Sequence, residues 1–491
     1  MTYQLRPHQE RAIELIRHSF ARGNRCPVLQ ASTGFGKTLI AVDIIKQALA
    51  KGKRVLFVVD RVQLIDQTSE VFDNHKLPHG VIQADHWRVN SEPLQLASVQ
   101  TLTRRRNKPI VDLIIVDEAH CMYQSLSKLI TVNWNKLPFI GLSATPFTKG
   151  MGTVYDDLIV VETTQSLIDK GYLCDFIAYG STQLDLSGIK TQAGDYNQKQ
   201  LGERVNQGQI VGDVVSTWLK RGENRKTVCF AVNVAHSKSI VDEFRANGVS
   251  AAHIDAYTSP EDRDEILSRH DSGEIKILSN VGITTKGWDS PETSCLILAR
   301  PTKSLMLYIQ MVGRVLRTAE GKENAIILDH GRNIERLGFP TDDLPEYLCN
   351  GDMKERKKRE AKEKEEKLPT PCPKCSYMST AFVCPSCGHE PEIKPEVSVD
   401  AGELAKLEKV DTSVKRDWYA MLLGYANDQA KKKPDRWKKP EGWASNKYRE
   451  KFGVWPSQKR GVFPKQPSEE VYKFIQHLNI KNRYSRARTE T

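Results

Sequence analysis

The stretch Ala31-Ser-Thr-Gly-Phe-Gly-Lys-Thr38 constrains the fold of this 491-residue chain more than any other. Gly34 and Gly36 let the backbone curl so that successive N–H groups face one anionic centre, Lys37 can reach β- and γ-phosphates, and Thr38 can place its hydroxyl on Mg²⁺. Such a loop must join a strand to a helix. Pro27-Val-Leu-Gln30 reads as a short buried strand before it, and Leu39-Ile-Ala-Val-Asp-Ile-Ile45 has helical spacing after it, so the phosphates would meet a helix N-terminus. Ala31 stands where the strict pattern has glycine. With Thr33 and Phe35, these residues form the candidate phosphate site.

A second signal decides the chemistry. Leu113-Ile-Ile-Val116 is an apolar run of the kind that makes a buried parallel strand, and Asp117-Glu-Ala-His120 follows it directly. Open α/β sheets bind ligands at the C-terminal ends of their strands. There Asp117 can hold Mg²⁺ and Glu118 can polarise the water that attacks a γ-phosphate. Two carboxylates placed this way, downstream of a Lys-Thr phosphate loop, predict an ATP-hydrolysing core.

Strand and helix patterns alternate twice along the first ~345 residues. In the first series, strands are expected near Val28, Arg54–Val59, Leu94–Ser98, Leu113–Val116 and Phe139–Leu142. The second series has Thr227–Ala231, Ala251–Ile254, Lys276–Ser279, Ser294–Leu298 and Ala325–Leu328. The expected fold class is α/β with two tandem RecA-like parallel-sheet domains, at 1–160 and 161–347. A charged linker or helix (348–368), a small zinc ribbon (369–392) and a basic, aromatic-rich, mostly helical C-terminal region (402–491) would follow.

The spaced motifs over residues 1–345 resemble those of superfamily 2 helicases and translocases of the DEAH type. On that resemblance, Gln9 in Leu5-Arg-Pro-His-Gln9 would read the adenine edge with Arg6 beside it, and Asp117-Glu-Ala-His120 would bring His120 into the catalytic set. Val58-Val-Asp-Arg61 and Ser98-Val-Gln-Thr-Leu102 look like strand-contacting motifs, with Arg61, Gln100 and Thr101 on the nucleic-acid backbone. Ser143 and Thr145 in Ser143-Ala-Thr145 match the segment that links hydrolysis to domain movement. In the second half, Asn233 of Phe230-Ala-Val-Asn-Val-Ala-His236 resembles another nucleic-acid contact. Asn280-Val-Gly-Ile-Thr-Thr-Lys-Gly-Trp-Asp289 would turn Thr284 and Thr285 to the nucleic acid, and Gly287 and Asp289 to the nucleotide. Gln310-Met-Val-Gly-Arg-Val-Leu-Arg317 matches the motif whose glutamine and arginines face the nucleotide across the cleft. Arg314 and Arg317, three apart on a predicted helix, would be arginine fingers.

Cys372-Pro-Lys-Cys375 and Cys384-Pro-Ser-Cys387 form C-x2-C-x8-C-x2-C, the spacing by which two tight turns deliver four thiolates to tetrahedral Zn²⁺. The remaining cysteines are scattered, which suits reduced thiols in a cytosolic compartment, and no apolar run is long enough to cross a membrane. From Lys415 to Thr491 the chain carries 19 Lys and Arg against 8 Asp and Glu, a balance of +11 that equals the net charge of the whole chain. Four of the eight tryptophans lie in the same stretch. Basic charge interleaved with aromatics is what polyanion binding with base stacking needs, and it is also what a small helical unit with an aromatic core and a solvated basic face would show. Trp418, Tyr419, Leu422 and Leu423 have the spacing of helix core.

Motor, four-Cys ribbon and helical tail together resemble RadD-type DNA repair helicases of bacteria and their phage relatives. That resemblance implies a DNA-dependent ATPase using ATP, Mg²⁺ and Zn²⁺ on single-stranded or branched DNA in repair, recombination or replication. It also implies a monomer on DNA, single-strand-binding protein or a recombinase as partners, and the bacterial cytosol or nucleoid, or the host cytosol for a phage protein, as its place. Three other readings share the motor motifs: an RNA helicase, a non-processive ATP switch in a DNA-bound assembly, and the motor subunit of a restriction enzyme whose nuclease is another chain.

Overall fold

The computed structural model describes residues 4–350 except 33, 61, 84–85, 149, 181–188, 193–194, 206–207, 283–287 and 289. Further along it describes 370–371, 378–379, 404–407, 412–432, 437, 439–452, 454–456 and 462–476.

The first sheet follows from short apolar runs that can be buried on both faces. Its elements, in chain order, are α1 (Pro7–Ala21), β1 (Pro27–Gln30), α2 (Lys37–Ala50), β2 (Val55–Val59), α3 (Ile65–Asn74), β3 (Gly80–Ile82), β4 (Leu94–Ser98), α4 (Val99–Arg104), β5 (Leu113–Val116), α5 (Gln124–Lys128), β6 (Phe139–Ser143) and β7 (Asp157–Val160). The seven strands are all parallel, in the order β3-β4-β2-β5-β6-β1-β7. Every residue of β1, β2, β4 and β6 is buried.

The second sheet begins after α6 (Thr164–Asp169). Its elements are β8 (Asp175–Gly180), the hairpin β9 (Thr191–Gln192) and β10 (Asp195–Tyr196), α7 (Gln198–Val205), α8 (Gly208–Arg221), β11 (Thr227–Phe230), α9 (Val234–Ala246), β12 (Ala251–Ile254), α10 (Pro260–Asp271), β13 (Ile277–Asn280), β14 (Cys295–Leu298), α11 (Leu305–Val312), β15 (Asn324–Asp329) and α12 (Asn333–Leu337). Beyond lie an antiparallel pair, β16 (Thr370–Pro371) with β17 (Met378–Ser379), the edge strand β18 (Ala405–Lys406), α13 (Thr412–Lys432) and α14 (Pro440–Phe452). The order is β12-β13-β11-β14-β15-β8-β18, parallel but for β18, which runs antiparallel to β8. One cluster of buried apolar side chains crosses between the two halves, with Leu29 and Phe35 of the first packed in the same core as Leu173 and Leu316.

The strands expected from sequence are present to within a residue or two at their ends. Four strands of the two large sheets were not expected: β3, β7, β8 and β18. β3 is three residues long and β7 opens on an aspartate, so neither has enough apolar run to announce a strand. The chain leaves the second sheet by a segment that returns to the first. The Cys349 carbonyl accepts from Gly150 N (3.0 Å) and Gly152 N (3.1 Å), and Leu348 packs on the first-sheet core. Further along, α13 is tied to the same segment, because Lys415 Nζ donates to both Asp342 oxygens at 2.7 Å and Arg416 Nε donates to Asp343 Oδ2 at 2.6 Å. Trp418, Tyr419, Leu422 and Leu423 of α13 are buried against Ala444 and Tyr448 of α14 and Val471 and Ile475, the packing that their spacing predicts.

Candidate active site

The phosphate loop leaves β1 and enters α2 with Gly34 at φ +85° and Gly36 at φ +88°, a left-handed backbone that L side chains rarely adopt. A side chain at either position would also have to displace a neighbour. A Cβ on Gly36 would lie 2.1 Å from Gln9 Nε2, and one on Gly34 would lie 2.6 Å from Leu173 Cδ2. Lys37 opens the helix. The buried Ser32 hydroxyl has no hydrogen-bond partner among the described residues. A Cβ-free cradle at a helix N-terminus with an unsatisfied hydroxyl fits a bound polyphosphate.

Gln9 clasps this loop. Its amide donates to Phe35 O at 3.0 Å, while its oxygen accepts from Arg6 N at 2.9 Å. His8 reaches the same carbonyl (3.2 Å), and its ring packs 4.7 Å from both Phe35 and Tyr172. Arg6 lies over the Tyr172 ring, 4.7 Å from the centroid. Tyr172 was not singled out from sequence. It sits in the connection between the sheets, where nothing in its local pattern marks it, and only the fold brings it to the mouth of the site.

The Asp117–His120 segment leaves β5 beside this loop. Glu118 takes φ +47°, a costly backbone for a glutamate, which places its carboxylate 4.0 Å from Lys37 Nζ and 3.2 Å from His120 Nδ1. Asp117 is held by Glu118 N at 2.9 Å. Burial, and then the neighbouring Glu118 charge, push its carboxyl up to about 6, with Lys37 pulling it back down. His120 is 2% exposed, and its Nδ1 is 3.0 Å from Ser143 Oγ. Ser143 Oγ also accepts from Thr145 N at 3.0 Å. The next shared contact crosses the cleft: Gln310 Nε2 on α11 lies 3.2 Å from His120 Nε2. Both halves therefore meet on one histidine.

Arg314 and Arg317 follow α11. Arg314 Nη1 donates to Trp288 O at 2.5 Å, and burial lowers its pKa while the Glu118 charge opposes that shift. Arg317 pairs with Leu173 in an isolated backbone bridge, and its Cγ would be 4.0 Å from a Cβ on Gly34. Sequence spacing joins these residues to the phosphate loop only by analogy; the fold brings them there.

Of the expected nucleic-acid residues, Gln100, Thr101 and Asn233 are described. Gln100 is exposed and Thr101 half-buried in the first turn of α4, at the C-terminal end of β4, where Ser98 caps the helix by accepting from Thr101 N at 3.2 Å. Asn233 caps α9, accepting from His236 N at 2.8 Å. Thr33, Arg61, Thr284, Thr285, Gly287, Asp289, Cys372, Cys375, Cys384 and Cys387 lie outside the described residues.

Residues 2–148 match the family described as type III restriction enzyme, res subunit, and residues 209–319 match the helicase conserved C-terminal domain. The chain is 31% identical over 401 residues to the 51.5 kDa protein of a Lactococcus phage (isolate 7-9), an alignment covering 79% of this chain and 84% of that one. It is 30% identical over 355 residues to a Saccharomyces cerevisiae protein provisionally named ATP-dependent helicase IRC3, covering 66% of this chain but only 51% of the yeast protein. Among solved structures, a fragment of an HsdR subunit of a type I restriction enzyme from Vibrio vulnificus superposes with a TM-score of 0.53 at 21% identity, over 70% of this chain and 66% of that one. The type ISP restriction-modification enzyme LlaBIII bound to DNA superposes at 0.52 and 19%, over 67% and 28%. These likenesses show the tandem RecA-like fold.

Proposed function

The chain belongs to the superfamily 2 helicases and hydrolyses ATP, and from that footing we propose a DNA-dependent translocase or helicase whose ATP site closes between its two sheet domains (1–160 and 161–347). The observation that carries this reading is the Gln310–His120 contact at 3.2 Å, because it couples the segment holding the hydrolytic carboxylate to the helix that leads into Arg314 and Arg317. Lys37 and the loop N–H groups bind the β- and γ-phosphates. Gln9 and Arg6, with Tyr172, hold the base end. Glu118, aimed by its left-handed backbone and by His120, takes the proton from the attacking water. Thr38 and Asp117 would hold Mg²⁺, whose charge offsets that of the phosphates. Arg314 and Arg317 neutralise the charge that develops in the transition state, a contribution worth roughly 10³–10⁵ in rate where such residues have been removed. Ser143, bonded to His120, and Thr145, bonded to Ser143, carry the state of the site toward the loops that grip DNA.

Gln100, Thr101 and Asn233 line that DNA path in this proposal, with Arg61, Thr284 and Thr285. Gly287 and Asp289 belong to the nucleotide side. The four cysteines hold structural Zn²⁺: the antiparallel pairing of Thr370 with Ser379 and Pro371 with Met378 brings together the two ends of the segment that contains Cys372 and Cys375, which supports a metal knuckle there. Cys375→Ser should release the zinc, read by metal analysis of the purified protein. The basic tail adds a second hold on DNA, and a role in repair, recombination or replication follows from that substrate. The restriction-enzyme relatives favour a second reading, a motor subunit that serves a nuclease carried elsewhere.

Steady-state ATP hydrolysis tests the proposal when measured without nucleic acid and with single-stranded DNA, duplex, forked DNA and RNA, beside Glu118→Gln. Strong stimulation by DNA that vanishes in the variant is expected. Stimulation mainly by RNA would make the protein an RNA helicase, and none at all would make it a nucleotide switch.

A further inference from the structure

The loop between β3 and β4 presents an indole to solvent: Trp87 is 79% exposed. A single exposed aromatic is ordinary on a protein surface; this one stands out because the residues on either side of it are tied to α3. Arg88 lies over the Trp87 ring, 4.4 Å from its centroid, and makes a paired ion bridge to Asp73 on α3, with both N–O distances 2.7 Å. His86, whose ring is within 21° of parallel to the indole at 5.9 Å, is itself 3.4 Å from Asp66 on the same helix. The Trp87 ring is thus flanked by the Arg88 guanidinium and the His86 imidazole, each anchored to α3.

The backbone fixes where this platform stands. Arg88 O accepts from Val81 N at 2.9 Å and Asn90 Nδ2 donates to His79 O at 3.0 Å, so residues 88–90 return antiparallel alongside β3. Trp87 therefore lies level with Ile82, at the C-terminal end of β3. Ile82 is in register with Ala97, and Ser98 with Val59. The chain leaves β2 and β4 at this same edge, and the first turn of α4, with the proposed contacts Gln100 and Thr101, starts there. Neighbouring strands are about 4.8 Å apart, so a strand of nucleic acid crossing from β2 to β4 meets β3 and Trp87 next. Arg104, Arg105 and Arg106 are exposed at the end of α4, which starts from that edge, and supply charge complementary to a polyanion.

We propose that Trp87 is a base-stacking platform for single-stranded DNA, at the outer end of the path over the first sheet, and that Arg88 and His86 hold it in place. This rests on the DNA-motor reading and deepens it by naming a residue that grips a base rather than a phosphate. Every base has a π-face, so the grip is indifferent to sequence, and a braced indole loses little freedom when it stacks.

The test uses the full-length protein, Trp87→Ala and Trp87→Phe, with single-stranded oligonucleotides carrying one 2-aminopurine at successive positions. The wild type should quench the probe at one position; Trp87→Ala should lose that quench and bind the DNA about 5- to 150-fold more weakly, with Trp87→Phe between them. ATP turnover without nucleic acid should stay unchanged in both variants. Trp87→Ala that binds and quenches like the wild type overturns the proposal while leaving the DNA motor intact. An effect confined to RNA probes overturns it in favour of RNA. A wild type that binds none of the probes overturns both this proposal and the DNA reading.

Discussion

Gly36 shows how much a single position can decide. Its φ of +88° and the 2.1 Å approach of Gln9 Nε2 to any Cβ make the loop and the Gln9 clasp one object. Gly36→Ala should strain the backbone by about 1–3 kcal/mol and displace Gln9, weakening nucleotide affinity roughly 5- to 150-fold, as an ATP-analogue titration would measure. Gln310 works differently, through its contact with His120 across the cleft. Gln310→Ala should leave nucleotide binding intact and lower turnover about 10- to 100-fold, the cost of one hydrogen bond to a positioned group, read as a fall in kcat with little change in KM. A glycine pattern and an Asp-Glu-Ala-His string announce themselves in sequence, because their spacing alone implies their backbone. Tyr172 and Trp87 do not: the first gains meaning from a neighbour far along the chain, the second from a hairpin-like return that no local pattern encodes.

Among elements, the parallel strands were the most legible. Their runs are apolar throughout because both faces are covered, so β2 and β5 could be placed within a residue. The outer strands β3 and β7 were not, since three or four residues, one set opening on an aspartate, leave too little pattern to read. The packed histidines of the second domain were also hidden. His236 and His270 are fully buried, and burial pushes both down to about 4. His270 is further held neutral by Lys226 and Lys276, against its bond to Ile275 O. Between about pH 6.5 and 4 the unfolded chain binds these protons and the fold does not, so their stability is complete above 6.5 and is lost as pH falls toward 4. Asp329, pushed up to about 6 by burial, acts in the opposite sense by taking its proton first in the folded state. His330 is pushed down to about 4 by burial as well, so three histidines outweigh the one carboxylate, and calorimetric melts across this range should show the second domain weakening first.

At the scale of the whole molecule, the sequence separates motor, ribbon and tail as independent stretches, while the fold joins motor and tail. Lys415 and Asp342 are 7% and 17% exposed, so their pair is worth more than a surface bridge. Lys415→Ala should cost about 1–3 kcal/mol of tail docking and make residues 412–476 more open to limited proteolysis, with little added by Asp342→Ala in the same chain. Composition could not reveal this, because a lysine in a basic tail looks like any other.

The return of the chain from the second sheet to the first has a mechanical consequence. Where Cys349 holds Gly150 and Gly152, the two halves are stitched beside the loop that follows Ser143 and Thr145. That stitch adds a second tether to the shared core of Leu29, Phe35, Leu173 and Leu316, and it ties the tail fastened at Asp342 and Asp343 to the same margin: whatever opens the cleft is geared to the tail.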